Sequence, residues 1–166
     1  MAELTRLEDL FLHEVRDLYD AEKRLTRAIP KLVDAAHSRE LKQALQHHLT
    51  ETEAHVTRLE QIFSMFDEDA KGETCEGIKG LLSEGESLLD DASDDAVSDA
   101  ALIAAAQKVE HYEISGYGTL CTWARLLGRD EAAHLLEFTL AEEKQADHAL
   151  TDVARRLNVR AVNVRA

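Results

Sequence analysis

The pattern of a long amphipathic helix is clearest in residues 102–127, which read LIAAAQKVEHYEISGYGTLCTWARLL. Apolar side chains recur in this stretch at steps of three and four residues, so they share one face of an α-helix. Glu110 and Glu113 lie inside that apolar face. Gly128 follows the stretch and is typical of the residue that ends a helix. We therefore expect a long helix that packs against a core and carries two carboxylates toward it.

The same periodicity predicts three other long helices. The first covers residues 3–36, and Pro30 is expected to kink it because proline lacks a backbone hydrogen-bond donor. Ser38 is expected to cap the second helix. Asp130 is expected to cap the last helix, and the chain from Asn158 onward is expected to form a loose tail.

The lengths of the connections predict how the helices are arranged. Very few residues join the first two long helices or the last two, and such short links force each pair into an antiparallel hairpin. Between the pairs lies a connection of about thirty residues, with a weaker helical pattern at residues 75–90. The predicted fold class is all-α: a ferritin-like antiparallel four-helix bundle with one long crossover containing a short helix. Residues 1–166 form a single domain in this interpretation.

Composition narrows the function classes. The formal net charge is −14, which argues against nucleic acid as a partner because phosphates would be repelled. The longest uncharged stretch, residues 114–124, is too short to span a membrane. The first residues lack a basic start followed by an apolar run, and Cys75 and Cys121 show no paired spacing. We therefore expect reduced thiols, no membrane span and a cytoplasmic location.

Each long helix interrupts its own apolar stripe with side chains that can bind metal. The residues concerned are Glu22 on the first helix, His48, Thr52 and His55 with Glu51 beside them on the second, Glu110 and Glu113 on the third, and Glu143 and Asp147 on the fourth. Burying so many carboxylates without partners would cost roughly several kcal/mol for each ion. Two divalent cations would neutralise four carboxylates and would also accept lone pairs from imidazole. The sequence therefore predicts a di-metal site in the core.

The spacing of these residues fits known di-metal bundles only in part. In such bundles two helices each give one Glu, and the other two each give a Glu followed by a His three residues later. Here the residue three before His55 is Thr52, and the nearest acid is Glu51, four before. On the last helix Asp147 follows Glu143 by four. Steps of three and of four both return to one helix face, so the oxygen-rich set still suits iron, or alternatively manganese.

A metal-free interpretation also explains the acids, since salt bridges can satisfy buried carboxylates. The basic residues close enough in sequence to serve are Arg16, Lys23, Arg24, Lys108 and Arg125. The tyrosines near the acids, Tyr19, Tyr112 and Tyr117, are assigned to core packing, although each can donate a hydrogen bond.

Four runs of sequence also match a known family. They are LFLHEVRDLYDAE at 10–22, HLTETEAH at 48–55 with RLEQIF at 58–63, AAAQKVEHYEISGYG at 104–118, and EEKQAD at 142–147. Together they resemble the YciE/YciF family of ferritin-like proteins, over residues 4–157. The resemblance implies a ferritin-like bundle, usually dimeric, linked to bacterial stress responses. The resemblance implies that the site residues in this sequence are Glu22, His55, Glu110, Glu113, Glu143 and Asp147.

Three functions remain open from the sequence. The first is a di-iron carboxylate enzyme that acts on O2 or peroxide, with manganese as the other metal. The second is a non-catalytic dimeric stress or interaction protein, either metal-free or stabilised by metal. Iron storage in a cage ranks last because no feature of the sequence specifies a cage interface. We expect a homodimer, since symmetric pairs are the commonest oligomers.

Overall fold

The computed structural model describes residues 4–162, which form five α-helices and, within that range, no β-strand. The helices are α1 (Leu7–Ala35), α2 (Arg39–Met65), α3 (Glu76–Asp91), α4 (Asp95–Leu126) and α5 (Asp130–Val162). The predicted all-α class is confirmed, and so is the short helix in the long connection. No helix among the described residues has the length and apolar character that crossing a membrane requires.

The four long helices pack in the cyclic order α1, α2, α5, α4. Their apolar faces form two separate clusters. One cluster contains Phe11, Leu18, Phe63, Tyr117 and Leu136, and the other contains Leu25, Leu45, Leu102, Val109 and Leu150. Each helix passes from one cluster to the other at about its midpoint. The metal-capable residues of the sequence fall between the two clusters, so the fold has a polar layer halfway along a hydrophobic core.

Local interactions explain where the helices begin and end. Asp94 caps α4 by accepting hydrogen bonds from the backbone N–H groups of Ala96 and Val97. Gly128 follows α4 with a φ of +68°, a conformation that glycine adopts without strain. Helix α1 runs through Pro30 as predicted. Gly116 brings α4 close to α1, because a Cβ placed there would lie 3.1 Å from the side chain of Leu18.

Three sequence predictions about helix ends are wrong or hold only in part. Ser38 occupies the N-cap position of α2, as predicted, but its side chain makes no capping hydrogen bond. The backbone N–H groups of His37 and Ser38 donate to the Asp99 carboxylate. Asp130 is already helical and therefore does not cap α5. The predicted tail after Asn158 is helical up to Val162, since no glycine or proline interrupts it. The remainder of that predicted tail, and the predicted start at Glu3, lie outside the described residues.

Helix α3 packs against α4 and α1 on the outside of the four long helices. It is anchored at its first turn, where the Cys75 thiol donates to Asp17 and contacts the Tyr112 hydroxyl. The backbone N–H of Cys75 also donates to Asp20 of α1. Both Cys75 and Cys121 are free thiols, in agreement with the sequence prediction.

Candidate metal centre

The polar layer contains six buried side chains from all four long helices. They are Glu22 of α1, His48 and His55 of α2, Glu110 and Glu113 of α4, and Glu143 of α5, all at most 6% exposed. Their positions follow from helix periodicity, because each occupies a slot in its helix's inward stripe where an apolar residue would otherwise lie. Thr52 is also fully buried on the same face of α2, and its hydroxyl donates to the backbone carbonyl of His48.

One group of possible ligands consists of Glu22, His55 and Glu143, each of which offers a donor atom within 4.8 Å of the others. His55 Nδ1 lies 3.2 Å from Glu22 Oε1 and 2.9 Å from Glu143 Oε1. These contacts lack the geometry of a hydrogen bond, so Nδ1 lies close to two carboxylates without a hydrogen bond to either of them.

A second group consists of His48, Glu110, Glu113 and Glu143, again with donor atoms within 4.8 Å of one another. His48 Nε2 lies 3.3 Å from Glu110 Oε1 and 3.9 Å from Glu143 Oε2. Glu143 belongs to both groups. The two groups are therefore adjacent and share one carboxylate, which is the arrangement that a pair of cations bridged by a carboxylate requires.

Many donor atoms of the layer have no hydrogen-bond partner among the described residues. These atoms are Oε2 of Glu22, Nδ1 of His48, Nδ1 of His55, Oε2 of Glu110, and both carboxylate oxygens of Glu113 and of Glu143. Native folds rarely leave buried polar atoms unpaired, because each costs about 1–3 kcal/mol and a charged group costs more. The residues that carry these atoms form the two groups of oxygen and nitrogen donors, so the residues present fit divalent metal ions.

Burial and mutual repulsion raise the pKa values of three acids of the layer. Burial, followed by the charges and contacts of neighbouring carboxylates, raises the pKa of Glu110 and of Glu113 well above the ordinary value of 4.5. Burial also raises the pKa of Glu22, although His55 opposes that shift. Like charges at these distances cannot all ionise in a low-dielectric core without a counter-ion. A cation would remove this conflict, because it favours the ionised form of each acid.

His55 is the main positive partner that the protein itself supplies to the layer. Burial acts to lower the pKa of His55, but Glu143 and Glu22 outweigh it and raise that pKa to about 10. For Glu143, burial acts to raise the pKa, and contacts with His55, Glu110 and His48 outweigh it and lower the pKa. In the metal-free protein, part of the negative charge is therefore balanced by a protonated imidazole.

A second layer of polar residues holds the first in place. His55 Nε2 lies 2.9 Å from a Glu142 carboxylate oxygen, and Arg58 donates to the same oxygen at 2.5 Å. Arg58 also donates to the Thr139 hydroxyl at 3.0 Å. On the other side of His55, the buried Tyr117 hydroxyl donates to Glu22 Oε1. Outer hydrogen bonds of this kind fix the ring orientation of metal-binding histidines.

The basic residues that the metal-free interpretation needed are engaged elsewhere. Arg16 pairs with Glu68, Arg24 with Asp20, Lys108 with Glu84 and Arg125 with Glu137, while Lys23 lies over the ring of Tyr19. Each of these partners lies outside the polar layer. In residues 4–162, none of these five basic side chains forms an ion pair with an acid of the layer.

The structure does not bring two of the residues predicted from the sequence into the layer. Glu51 is half-buried and contacts His47 and His48, with carboxylate oxygens 3.2 Å and 3.5 Å from them. Asp147 lies at the boundary of α4 and α5, where it accepts from Gln107 and lies 3.3 Å from His111. The helices that supply two residues each are therefore α2 and α4, whereas the sequence had assigned pairs to α2 and α5.

Sequence reasoning undervalued three residues of the site. His48 received little weight, yet it joins the second group because seven residues, or two helical turns, separate it from His55 on the same face. Tyr117 was assigned to core packing, although it can donate a hydrogen bond, and its hydroxyl does donate to Glu22. Glu142 was not singled out, because a half-buried acid beside a core acid has no distinctive periodicity. Arg58 lies one turn after His55, and an arginine there indicates that an acid of the neighbouring helix pairs with it, as Glu142 of α5 does.

Comparisons with known proteins agree with the resemblance in the sequence. The family model described as "Domain of unknown function (DUF892)" matches residues 6–163. Protein YciF of Escherichia coli (strain K12) is 47% identical over 149 residues, which cover 89% of this chain and 90% of that protein. The crystal structure of the E. coli stress protein YciF matches with a TM-score of 0.88 and 44% identity, over 98% of this chain and 100% of that chain.

YcfI of Rhodopseudomonas palustris also has a similar solved structure, with a TM-score of 0.88 and 42% identity over 90% of this chain and 95% of that chain. A protein from Xanthomonas campestris pv. campestris, 17% identical over 93% of this chain and 94% of that chain, matches with a TM-score of 0.75, which concerns the fold alone. The family model covers almost the whole chain, and the E. coli protein is similar over nearly the same length. The chain described here therefore belongs to the DUF892 family, as its resemblance to YciF predicted.

Proposed function

We propose that the polar layer is a di-metal carboxylate site in a ferritin-like antiparallel bundle, that its metal is iron with manganese as the alternative, and that it acts on O2 or peroxide. The observation that carries this proposal is the set of buried donor atoms without hydrogen-bond partners among residues 4–162. These atoms belong to four helices and to two groups that share Glu143. An oxygen-rich set with two imidazoles suits iron and manganese better than zinc or copper.

The proposed ligands follow from the two groups. Glu22 and His55 hold one ion, His48, Glu110 and Glu113 hold the other, and Glu143 bridges the two. Glu51 and Asp147, also predicted as ligands from the sequence, lie just outside the layer, and their role as ligands stays a prediction.

Bound ferrous ions would supply two electrons, which with two protons reduce hydrogen peroxide to two waters. The chain's own residues prepare the place for that chemistry. The two apolar clusters on either side of the layer exclude water, so the carboxylates act in a low-dielectric environment. Glu142 holds His55 so that Nδ1 faces Glu22 and Glu143. Tyr117 orients one oxygen of Glu22 through its hydroxyl.

The second candidate function is a non-catalytic dimeric stress protein. Its support is that His55 already balances part of the buried negative charge, so the layer is not wholly dependent on metal. The E. coli relative is named a stress protein. We extend the stress-related role to this chain as a proposal, and we also propose the cytoplasmic location and the homodimer that the sequence predicts. Light scattering should give a mass near twice the 18.5 kDa of the chain, and a stable monomer at micromolar concentration would contradict the dimer.

A peroxide assay separates the two functions. The iron-loaded parent should consume hydrogen peroxide while bound iron is oxidised, and Glu143→Gln should abolish that consumption because Glu143 is shared by both groups. Glu137→Gln is the matched control, since it makes the same change on α5 and breaks only a surface ion pair with Arg125. Parent protein that holds iron but consumes neither peroxide nor O2 would overturn the catalytic function and favour the non-catalytic one.

A further inference from the structure

A cavity of about 260 Å³ lies between α3 and the long helices, directly beside the second group of the polar layer. Its walls are apolar side chains of α1, α3 and α4, including Leu25, Ile29, Leu82, Leu89 and Val109. An apolar cavity of about 150 Å³ is already large enough to bind benzene. The space therefore has room for a phenyl ring with a short alkyl group.

The two ends of the cavity differ in character. At its inner end are His48 and Glu110, which are 6% and 2% exposed. Glu110 Oε2 has no hydrogen-bond partner among the described residues, and His48 Nε2 lies 3.3 Å from Glu110 Oε1. At the outer end are the exposed side chains of Lys31, Glu86 and Asp90. An occupant would therefore place an apolar body between the helices and a polar end at the layer.

We propose that this cavity binds the apolar body of an organic hydroperoxide and presents its –OOH group to His48 and Glu110. The proposal rests on the proposed function, because it names the class of peroxide on which the di-metal site acts. Reduction breaks the O–O bond and consumes two protons and two electrons from the ferrous ions, giving an alcohol and water. The cavity selects the substrate by its carbon skeleton.

Charge and polarity favour this class over the alternatives. Glu110 at the inner end disfavours an anionic head group such as that of a fatty acid, and at the outer end the two acids Glu86 and Asp90 outnumber Lys31. Hydrogen peroxide gains nothing from an apolar wall and gives up hydrogen bonds to water along it. An uncharged hydroperoxide with a hydrocarbon body gains free energy from each carbon that it buries there.

Ala28 of α1 allows the cavity to be filled. It is half-buried and lines the cavity, and Ala→Leu keeps high helix propensity while adding bulk. The matched control is Ala104→Leu on α4, because Ala104 is exposed and does not line the cavity. Leu82→Ala provides a second, opposite change, since it widens the cavity at α3.

The first experiment measures binding without turnover. The probe is 2-phenyl-2-propanol, the alcohol formed from cumene hydroperoxide, titrated calorimetrically into full-length protein as purified. We expect binding of one probe per chain, weakened at least about tenfold by Ala28→Leu, unchanged by Ala104→Leu and retained by Leu82→Ala. Absence of binding to the parent, or equal affinity in the parent and both cavity variants, would overturn the proposal.

The second experiment separates this proposal from the proposed function. With protein loaded with ferrous iron, the second-order rate constant for oxidation of the bound iron by cumene hydroperoxide should exceed that for hydrogen peroxide, and Ala28→Leu should lower only the former, by about tenfold. Consumption of hydrogen peroxide with no preference for the organic peroxide, and no effect of Ala28→Leu, would refute the cavity proposal while the proposed function stands. If neither peroxide is consumed but O2 is, the proposed function stands and the assignment of a hydroperoxide substrate fails. If neither peroxide nor O2 is consumed, both fail, whatever the probe binds.

Discussion

His55 Nε2 lies 2.9 Å from a carboxylate oxygen of Glu142, at the outer edge of the polar layer. The opposite ring nitrogen, Nδ1, consequently faces Glu22 and Glu143. If Nε2–H donates to Glu142, the neutral ring directs the lone pair of Nδ1 into the layer, where a cation can accept it. The contact therefore determines which nitrogen of His55 is available to metal.

Replacing Glu142 by Gln should weaken metal binding. The amide is a poorer acceptor for the imidazole N–H, and loss of such an outer carboxylate typically lowers metal affinity about 10- to 100-fold. Competition with a chromophoric chelator measures the effect, with Glu137→Gln as control because its ion pair with Arg125 is remote from the layer. Equal affinities in the two variants would show that Glu142 does not position His55.

Replacing Glu110 by Gln should make the thermal stability of the protein less dependent on metal. Removing metal from the parent leaves several acids facing one another, so a chelator should lower its melting temperature. Glu110→Gln removes one of these acids and one metal ligand at almost constant volume, so the chelator should lower the melting temperature of this variant less.

Glu137→Gln is the matched control for that experiment, because it makes the same change in a surface ion pair with Arg125, outside the polar layer. Its chelator shift should equal that of the parent. A chelator shift of the same size in Glu110→Gln as in the parent would show that Glu110 is not a ligand.

Metal-free protein should lose stability as the pH rises above neutrality. Glu110 and Glu113 have a folded pKa raised well above 4.5, so above that pH the unfolded chain ionises while the fold holds them protonated. His55 has a folded pKa of about 10 against an ordinary 6.5, so its contribution is complete below pH 6.5 and is lost as the pH rises through 10. Both effects lower the stability of the metal-free protein as the pH rises.

Thermal melts in chelator measure this dependence. Between about pH 6 and about pH 9 the midpoint should fall, by about 2–4 °C for each kcal/mol lost. Acids whose folded pKa is lowered, such as Asp9 and Glu142, are ionised in both states across this range and add no slope. Metal-loaded protein should show a smaller fall. A midpoint of the metal-free protein that rises with pH would contradict the description of the buried acids.

Replacing Tyr117 by Phe should destabilise the metal-free protein. The change removes the hydroxyl that donates to the buried Glu22 and leaves that oxygen without a donor, at a cost of about 1–3 kcal/mol. Tyr19→Phe is a matched control, because its hydroxyl donates to the exposed Glu60, which water can satisfy. Urea unfolding should therefore separate the two variants, and equal losses would indicate that the bond to Glu22 contributes nothing particular.

The helices could be predicted from the sequence because each buries one stripe at a period of 3.6 residues. Their ends were less predictable, since the backbone N–H of Ser38 at the start of α2 donates to Asp99, which lies sixty-one positions away in the sequence. No local pattern reveals that contact. The helices that supply the site were also predictable, because a charged residue within an apolar stripe is conspicuous in any sequence.

The exact membership of the site was less predictable. On α2, Thr52 takes the centre of the buried face between His48 and His55, and this moves Glu51 to the edge. The sequence shows that both residues lie near that face, but the rotation of the helix against its neighbours decides which side chain is buried. Asp147 is likewise drawn toward Gln107 and His111 of α4 by packing that periodicity does not describe.

The metal content of the protein tests the central claim most directly. Protein expressed with supplemented iron, purified without chelators and analysed for its elements, should carry about two metal ions per chain, as in other di-metal bundles. Glu143→Gln should lower that content, because Glu143 belongs to both groups, whereas Glu137→Gln should leave it unchanged. Well under one metal ion per chain in the parent, or equal content in the parent and Glu143→Gln, would contradict the assignment of the polar layer as a di-metal site.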